Sequence, residues 1–150
     1  MALAGGCLCG AIRYEIDTEL DPELTSYCYC SLCRKAHAAA CAAFSWVAAD
    51  RFRWSQGKDL LSRYESVPGS VRCFCSRCGT QLAGEVESIP EWMGITLGSV
   101  DDADTIRPTA HVFVASGAPW HEISDEIPQH ADWRPSLEKL FERLITSQSE

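Results

Sequence analysis

Ile12, Tyr14 and Ile16 alternate with Arg13 and Glu15 along "GAIRYEI" (Gly10–Ile16). A period of two puts the apolar set on one side of an extended chain and predicts a half-buried strand directly after Cys9. Further strand-like runs occupy Glu23–Tyr27, Ala43–Val47, Leu60–Glu65, Ser70–Phe74, Thr80–Gly84, Trp92–Leu97 and Ala110–Val114. Turn residues separate them, and Pro68-Gly69 within "SVPGS" (Ser66–Ser70) is expected to close a hairpin. The period changes near the end of the chain. Leu137, Leu140, Phe141, Leu144 and Ile145 recur at helical spacing after Pro135 and Ser136, which predicts an amphipathic helix over about 136–146. It would serve as packing or as a homodimer contact. "RKAHAAACAAF" (Arg34–Phe44) is expected to form a short helix on its alanine content. The pattern as a whole predicts a mainly β fold of small antiparallel sheets with a C-terminal helix. No linker or low-complexity tract interrupts residues 1–150, so a single domain is expected.

Composition adds a constraint. A chain of 150 residues, 46% hydrophobic and 23% charged, is globular and long enough to bury a sizeable core. It does not depend on cross-links for stability, so its nine cysteines need another explanation. The formal net charge is −8 and no Lys/Arg-rich run occurs, which argues against nucleic acid and anionic membrane surfaces as partners. The longest apolar stretch, Ala36–Ala49, falls short of the ~18 residues a spanning helix needs and contains His37 and Ser45. "MALAGGCLCG" has neither the basic segment nor the apolar run of a secretory signal, so a cytoplasmic location is expected. In a reducing compartment, cysteines at CxC and CxxC spacing point to metal rather than disulfides.

The cysteines fall into three clusters, Cys7/Cys9, Cys28/Cys30/Cys33 and Cys73/Cys75/Cys78, with Cys41 alone. Gly79 after Cys78 suits the positive φ of a metal-binding turn. Spacing does not decide which clusters share a metal. Joining Cys30 and Cys33 to Cys75 and Cys78 strands Cys7, Cys9 and Cys28, whereas a division into four and three leaves Cys41 and Cys73 as spares. The division matters chemically. Four thiolates close the tetrahedron of zinc, and three leave a position for water or substrate. A three-thiolate site is a weak Lewis acid, better suited to a substrate thiol than to making hydroxide.

The segments "GGCLCGAIRYEI", "CYCSLCRKAHAAACAAF", "FRW", "YESVPGSVRCFCSRCGTQL" and "IRPTAHVFVASGAPW" resemble the glutathione-dependent formaldehyde-activating family, which includes the centromere-protein-V-like proteins. The resemblance runs from about Gly5 to Trp133. It implies a β-tent zinc-binding fold with two Zn²⁺ per chain, a structural ion on Cys7, Cys9, Cys75 and Cys78 and a catalytic one on Cys28, Cys30 and Cys33. It implies a carbon–sulfur lyase acting on a thiol–aldehyde adduct such as S-hydroxymethylglutathione, with glutathione or another small thiol and an aldehyde as its partners. The chain departs from the family pattern at Tyr29, where many members carry His, and at Cys73.

Other residues are weighed individually. Arg34 and Lys35 follow the three-cysteine cluster and are candidates to hold a substrate carboxylate against the negative background. His37 is a candidate proton donor, set against a buried or capping role. Cys41 and Cys73 are expected to be small buried hydrophobes. Trp120 is a candidate pocket wall or core aromatic, and His121, His130 and Trp133 are expected to pack or lie at the surface. Two rival functions remain at this point: a chaperone-like zinc-binding module with no chemistry, and a thiol redox sensor at the three-cysteine cluster.

Overall fold

Tyr14 and Ile16 are fully buried, while Arg13 and Glu15 reach the surface to pair with Asp101 and Arg53. The alternation of this segment is therefore a one-sided strand. It is β2 (Arg13–Ile16) of a computed structural model that describes residues 2–104 and 106–141. β2 pairs antiparallel with β1 (Leu3–Gly6) and β5 (Phe52–Gln56) in a three-stranded sheet. Neither partner belongs to the runs expected from patterning. β1 reads LAGG and has no alternation, because its glycines serve close packing: a Cβ on Gly5 would sit 2.3 Å from the Tyr14 hydroxyl.

The larger sheet holds β3 (Thr25–Cys28), β4 (Ala42–Ala48), β6 (Leu61–Val67), β7 (Ser70–Cys75), β8 (Gln81–Val86), β9 (Trp92–Thr96) and β10 (His111–Val112). Its order is β10-β3-β4-β9-β8-β7-β6, antiparallel throughout except for the parallel pair β10–β3. The β6–β7 connection turns at Gly69, with φ of +81°, as the Pro-Gly pair predicts. Helix α1 (Ser31–His37) starts three residues before the expected Arg34 and stops at Ala38, which adopts a left-handed conformation. Alanine favours helix only weakly, and pairing of Ala42–Ala48 between β3 and β9 overrides it. Helix α2 (Pro135–Leu140) begins where Pro135 predicts. Leu144 and Ile145 of the expected helix lie outside the described residues. Among those described, no helix is long and apolar enough to cross a membrane.

The two faces of the large sheet carry different cores. One face packs against the small sheet through Ile12, Tyr14, Ile16, Cys73, Cys75, Leu82, Met93 and Ile95. On the other, Trp46, Val86 and Ile89 meet Leu137 and Phe141 of the α2 region. A buried cation ties that region down. Arg134 Nη1 donates to the Thr25 carbonyl at 3.1 Å, the Ser26 hydroxyl at 3.2 Å and the Thr109 hydroxyl at 2.7 Å. Arg134→Ala removes the donor and strands buried acceptors on β3, so a loss of about 2–3 kcal/mol is expected. The shift of the urea midpoint measures it, and an unchanged midpoint would remove Arg134 from the account of how α2 docks.

One cross-strand row prepares the functional site. Arg72 on β7 is opposite Gly84 on β8, Gly84 is opposite Gly94 on β9, and Gly94 is opposite Trp46 on β4. Two large side chains thus flank two glycines on the α2-facing side of the sheet.

Candidate functional site

The β1–β2 connection carries Cys7 and Cys9, and the β7–β8 connection carries Cys75 and Cys78. The structure brings these four sulfurs within 4.8 Å of one another, although the pairs are 66 or more residues apart. Gly10 and Gly79 each follow a cysteine with φ of +79°, the conformation that turns the chain around the sulfurs. Backbone amides point at the sulfurs: Ile12 N–H donates to Cys7 Sγ at 3.3 Å and Arg77 N–H to Cys75 Sγ at 3.4 Å. Thr80 links the two halves, accepting from the Leu8 amide at 3.0 Å while its hydroxyl lies 3.3 Å from Cys78 Sγ. That hydroxyl, with the Thr80 and Cys9 amides, pulls the Cys78 thiol down to about 5.

This donor set fits a tetrahedral thiophilic ion. A zinc–sulfur bond of ~2.3 Å gives a tetrahedral edge of about 3.8 Å. The Cys7–Cys9 and Cys9–Cys75 sulfurs are 3.6 and 3.9 Å apart.

Cys28, Cys30 and Cys33 form a second group, also within 4.8 Å, where β3 runs into α1. Among the described residues no further His, Cys, Asp or Glu joins it. Cys30 caps α1, its sulfur accepting from the Cys33 amide at 3.3 Å. Contacts with Cys28 and then Cys33 hold the Cys30 thiol far below the usual range. Contacts with Cys30 and Cys33, with burial added, drive Cys28 above it. The Cys33 amide at the helix start is a donor that favours the thiolate form of Cys30.

The alternation continues past the end of β3 and turns Tyr29 to the opposite side from Cys28 and Cys30. Its hydroxyl is 2.8 Å from His111 Nδ1, and His111 Nε2 is 2.9 Å from Asp125 Oδ1. With an ionised Asp125 able only to accept, a neutral His111 donates from Nε2 and accepts the Tyr29 hydroxyl at Nδ1. Burial, and then Cys41 and Asp125, push the Tyr29 phenol up. The Tyr29 phenol is thus a buried structural group bonded to His111 of β10, pointing away from the three-cysteine cluster.

On the other side lies a cavity of about 320 Å³, with Cys28, Cys30 and Cys33 in its wall. His37 and Arg72 also line it, and Arg72 Nη2 is 3.7 Å from Cys33 Sγ. Burial and the charge of Arg72 hold the His37 ring below its ordinary value. Arg34 and Lys35 are not among the lining residues, and Arg34 Nε donates instead to the Tyr29 carbonyl at 3.1 Å.

The remaining candidates are dispersed. Cys73 is fully buried beside Arg63, and Cys41 is half-buried next to Tyr29. Trp120 is 72% exposed and is neither core nor cavity wall. His121 stacks on Tyr29, and Trp133 stacks on Phe141 while also lining the cavity. Arg72 and Asp125 were not singled out in sequence. The only signal for Arg72 was its position in a strand ending at Cys73 and Cys75, and for Asp125 there was none.

A family model described as "Glutathione-dependent formaldehyde-activating enzyme" matches residues 2–116, a span that includes the cysteines of both the four-sulfur and the three-sulfur group. A protein of Halomonas elongata named "Putative glutathione-dependent formaldehyde-activating enzyme" is 30% identical over 133 residues, covering 82% of each chain. A crystal structure of a Rhodobacter sphaeroides protein covers 70% of this chain and 96% of its own, with a TM-score of 0.57. At 24% identity it is a likeness of fold alone.

Proposed function

The chain belongs to the glutathione-dependent formaldehyde-activating enzyme family, and on that premise we propose that it is a zinc enzyme interconverting a small thiol and an aldehyde with their S-hydroxyalkyl adduct. Run toward cleavage, the reaction is that of a carbon–sulfur lyase. The observation that carries this reading is the placement of Cys28, Cys30 and Cys33, three sulfurs with no fourth described ligand, in the wall of a cavity. Zinc held by these three sulfurs would supply a mild Lewis acid that favours thiolate over thiol.

The chain's own residues account for the rest. The cavity holds thiol and aldehyde side by side, which turns a bimolecular encounter into a local one. In the forward direction the thiol sulfur bonds to the aldehyde carbon, and the carbonyl π pair moves to oxygen. The proton released by the thiol ends on that oxygen, and nothing is oxidised or reduced. In reverse, the carbon–sulfur pair returns to sulfur and the hydroxyl proton is lost. His37, kept neutral by burial, is the imidazole in this cavity able to carry that proton between sulfur and oxygen. Arg72, at 3.7 Å from Cys33 Sγ, offers positive charge to the anion that either direction develops.

Exchange NMR tests the reading. With ¹³C-formaldehyde and a small thiol, the protein is expected to speed exchange between free aldehyde and adduct above the uncatalysed rate, and Cys33→Ala to return it to that rate. Equal rates with and without protein across glutathione and a panel of small thiols would sink it.

A further inference from the structure

Two of the large side chains in the cavity wall are Trp46 and Arg72. They stand at opposite ends of the row Arg72–Gly84–Gly94–Trp46, whose strands are about 4.8 Å apart. Arg72 brings a positive charge to the end of the row nearest the three-cysteine cluster, with its Nη2 3.7 Å from Cys33 Sγ.

The glycines between them have different reasons. At Gly94 a Cβ would be 2.9 Å from the Trp46 ring, so glycine there lets the indole lie across the sheet. At Gly84 the nearest heavy atom to an added Cβ is the Val71 carbonyl oxygen at 3.8 Å, and the backbone is not in the left-handed region. Neither packing nor conformation requires glycine at 84. Among the described residues, what its missing side chain provides is open space above the sheet. Phe44, Val86, Phe113, Trp133 and Phe141 enclose that space. Glu85, the carboxylate on its edge, is already paired with Arg63, and Arg72 has no carboxylate partner among the described residues.

We propose that this slot selects the thiol: a compact mercapto acid with an aromatic or branched aliphatic skeleton. The sulfur lies at the three-cysteine cluster, the carboxylate on Arg72, and the apolar body over Gly84 toward Trp46. The assignment rests on the thiol–aldehyde reading for the sulfur end, while the slot itself stands on the row, the charge of Arg72 and the space over Gly84. A tripeptide thiol fits the same surroundings poorly. Glutathione brings two carboxylates, an ammonium and two amides into a wall that is mostly apolar and in which Arg72 is the one Lys or Arg among the described residues.

Two measurements on the zinc-loaded chain separate the two layers. The first uses 3-phenylpropionate, which has the acid and the ring but no sulfur, and follows intrinsic Trp fluorescence. A saturable change is expected in the wild type, weakened in Gly84→Ala and lost in Gly84→Val. Arg72→Gln is expected to weaken it about tenfold or more, the loss of a charge-assisted hydrogen bond. Far-UV circular dichroism and zinc content check each variant, and Gly84→Ala and Arg72→Gln keep the test alive if Gly84→Val fails to fold. No saturable response in the wild type, or equal binding by folded variants, overturns the slot.

The second compares formaldehyde exchange with 2-mercapto-3-phenylpropionate and with glutathione. Faster exchange with the mercapto acid, reduced by Gly84→Val or Gly84→Ala, supports the assignment. Equal or faster exchange with glutathione, indifferent to Gly84, overturns it. Binding of 3-phenylpropionate without turnover of either thiol leaves the slot standing and defeats the thiol–aldehyde reading.

Discussion

Cys75→Ser is expected to leave the chain unfolded under conditions where the wild type is folded. Cys75 is fully buried at the end of β7, and its sulfur belongs to the four-cysteine group that joins the β1–β2 connection to the β7–β8 connection. Those connections belong to different sheets, so a metal there fastens the small sheet onto the large one. Metal bound only by the folded state counts as folding free energy, about 10 kcal/mol or more for structural zinc at neutral pH. A domain's entire stability is about 5–15 kcal/mol. Far-UV circular dichroism and released zinc measure the outcome, and chelation of the wild type should reproduce it. A Cys75→Ser protein with the wild-type melting temperature would show that this group does not hold the fold together.

How much of this was legible in the sequence depended on whether the signal was local. β2 and β7 alternate over several residues and each buries one side, so a period of two found them. β1 could not be found that way, because Gly5 is there to let Tyr14 approach, and that demand comes from a residue nine positions along. β5 has its alternation confined to Phe52 and Trp54, too short a run to stand out from the turn residues around it. The helix expected over Arg34–Phe44 failed in its second half because β3 and β9 supply hydrogen-bond partners that alanine's propensity cannot outweigh.

The site shows the same divide. CxC and CxxC spacing announced metal chemistry, yet spacing left open which clusters meet, and the meeting of Cys7 and Cys9 with Cys75 and Cys78 is tertiary. Arg34 and Lys35 drew notice as neighbours of Cys33 in sequence. The cation that neighbours Cys33 in space is Arg72, brought from β7 across the sheet. Gly84 carried no signal at all, since an empty position above a sheet has no composition.

Cys30→Ser is expected to do the opposite of Cys75→Ser, keeping the fold while halving the metal and abolishing the chemistry. The three-cysteine group sits where β3 enters α1, at one edge of the cavity, and joins no two sheets. Cys30 also caps α1 by accepting from the Cys33 amide, and serine is among the best helix N-caps, so the helix start survives the exchange of sulfur for oxygen. What is lost is one of the three sulfurs grouped in the cavity wall. Two remaining sulfurs make a poor zinc site, so metal content should fall from about two zincs to about one, and aldehyde exchange should fall to the uncatalysed rate. Zinc stoichiometry, melting temperature and exchange NMR on one preparation decide between the readings. A chaperone-like module in which both metals are structural would lose stability along with the second zinc. A redox sensor would instead show a disulfide among Cys28, Cys30 and Cys33 after mild peroxide, with no effect of the wild-type protein on aldehyde exchange. Only an open, catalytic three-cysteine site loses turnover completely while melting at nearly the wild-type temperature.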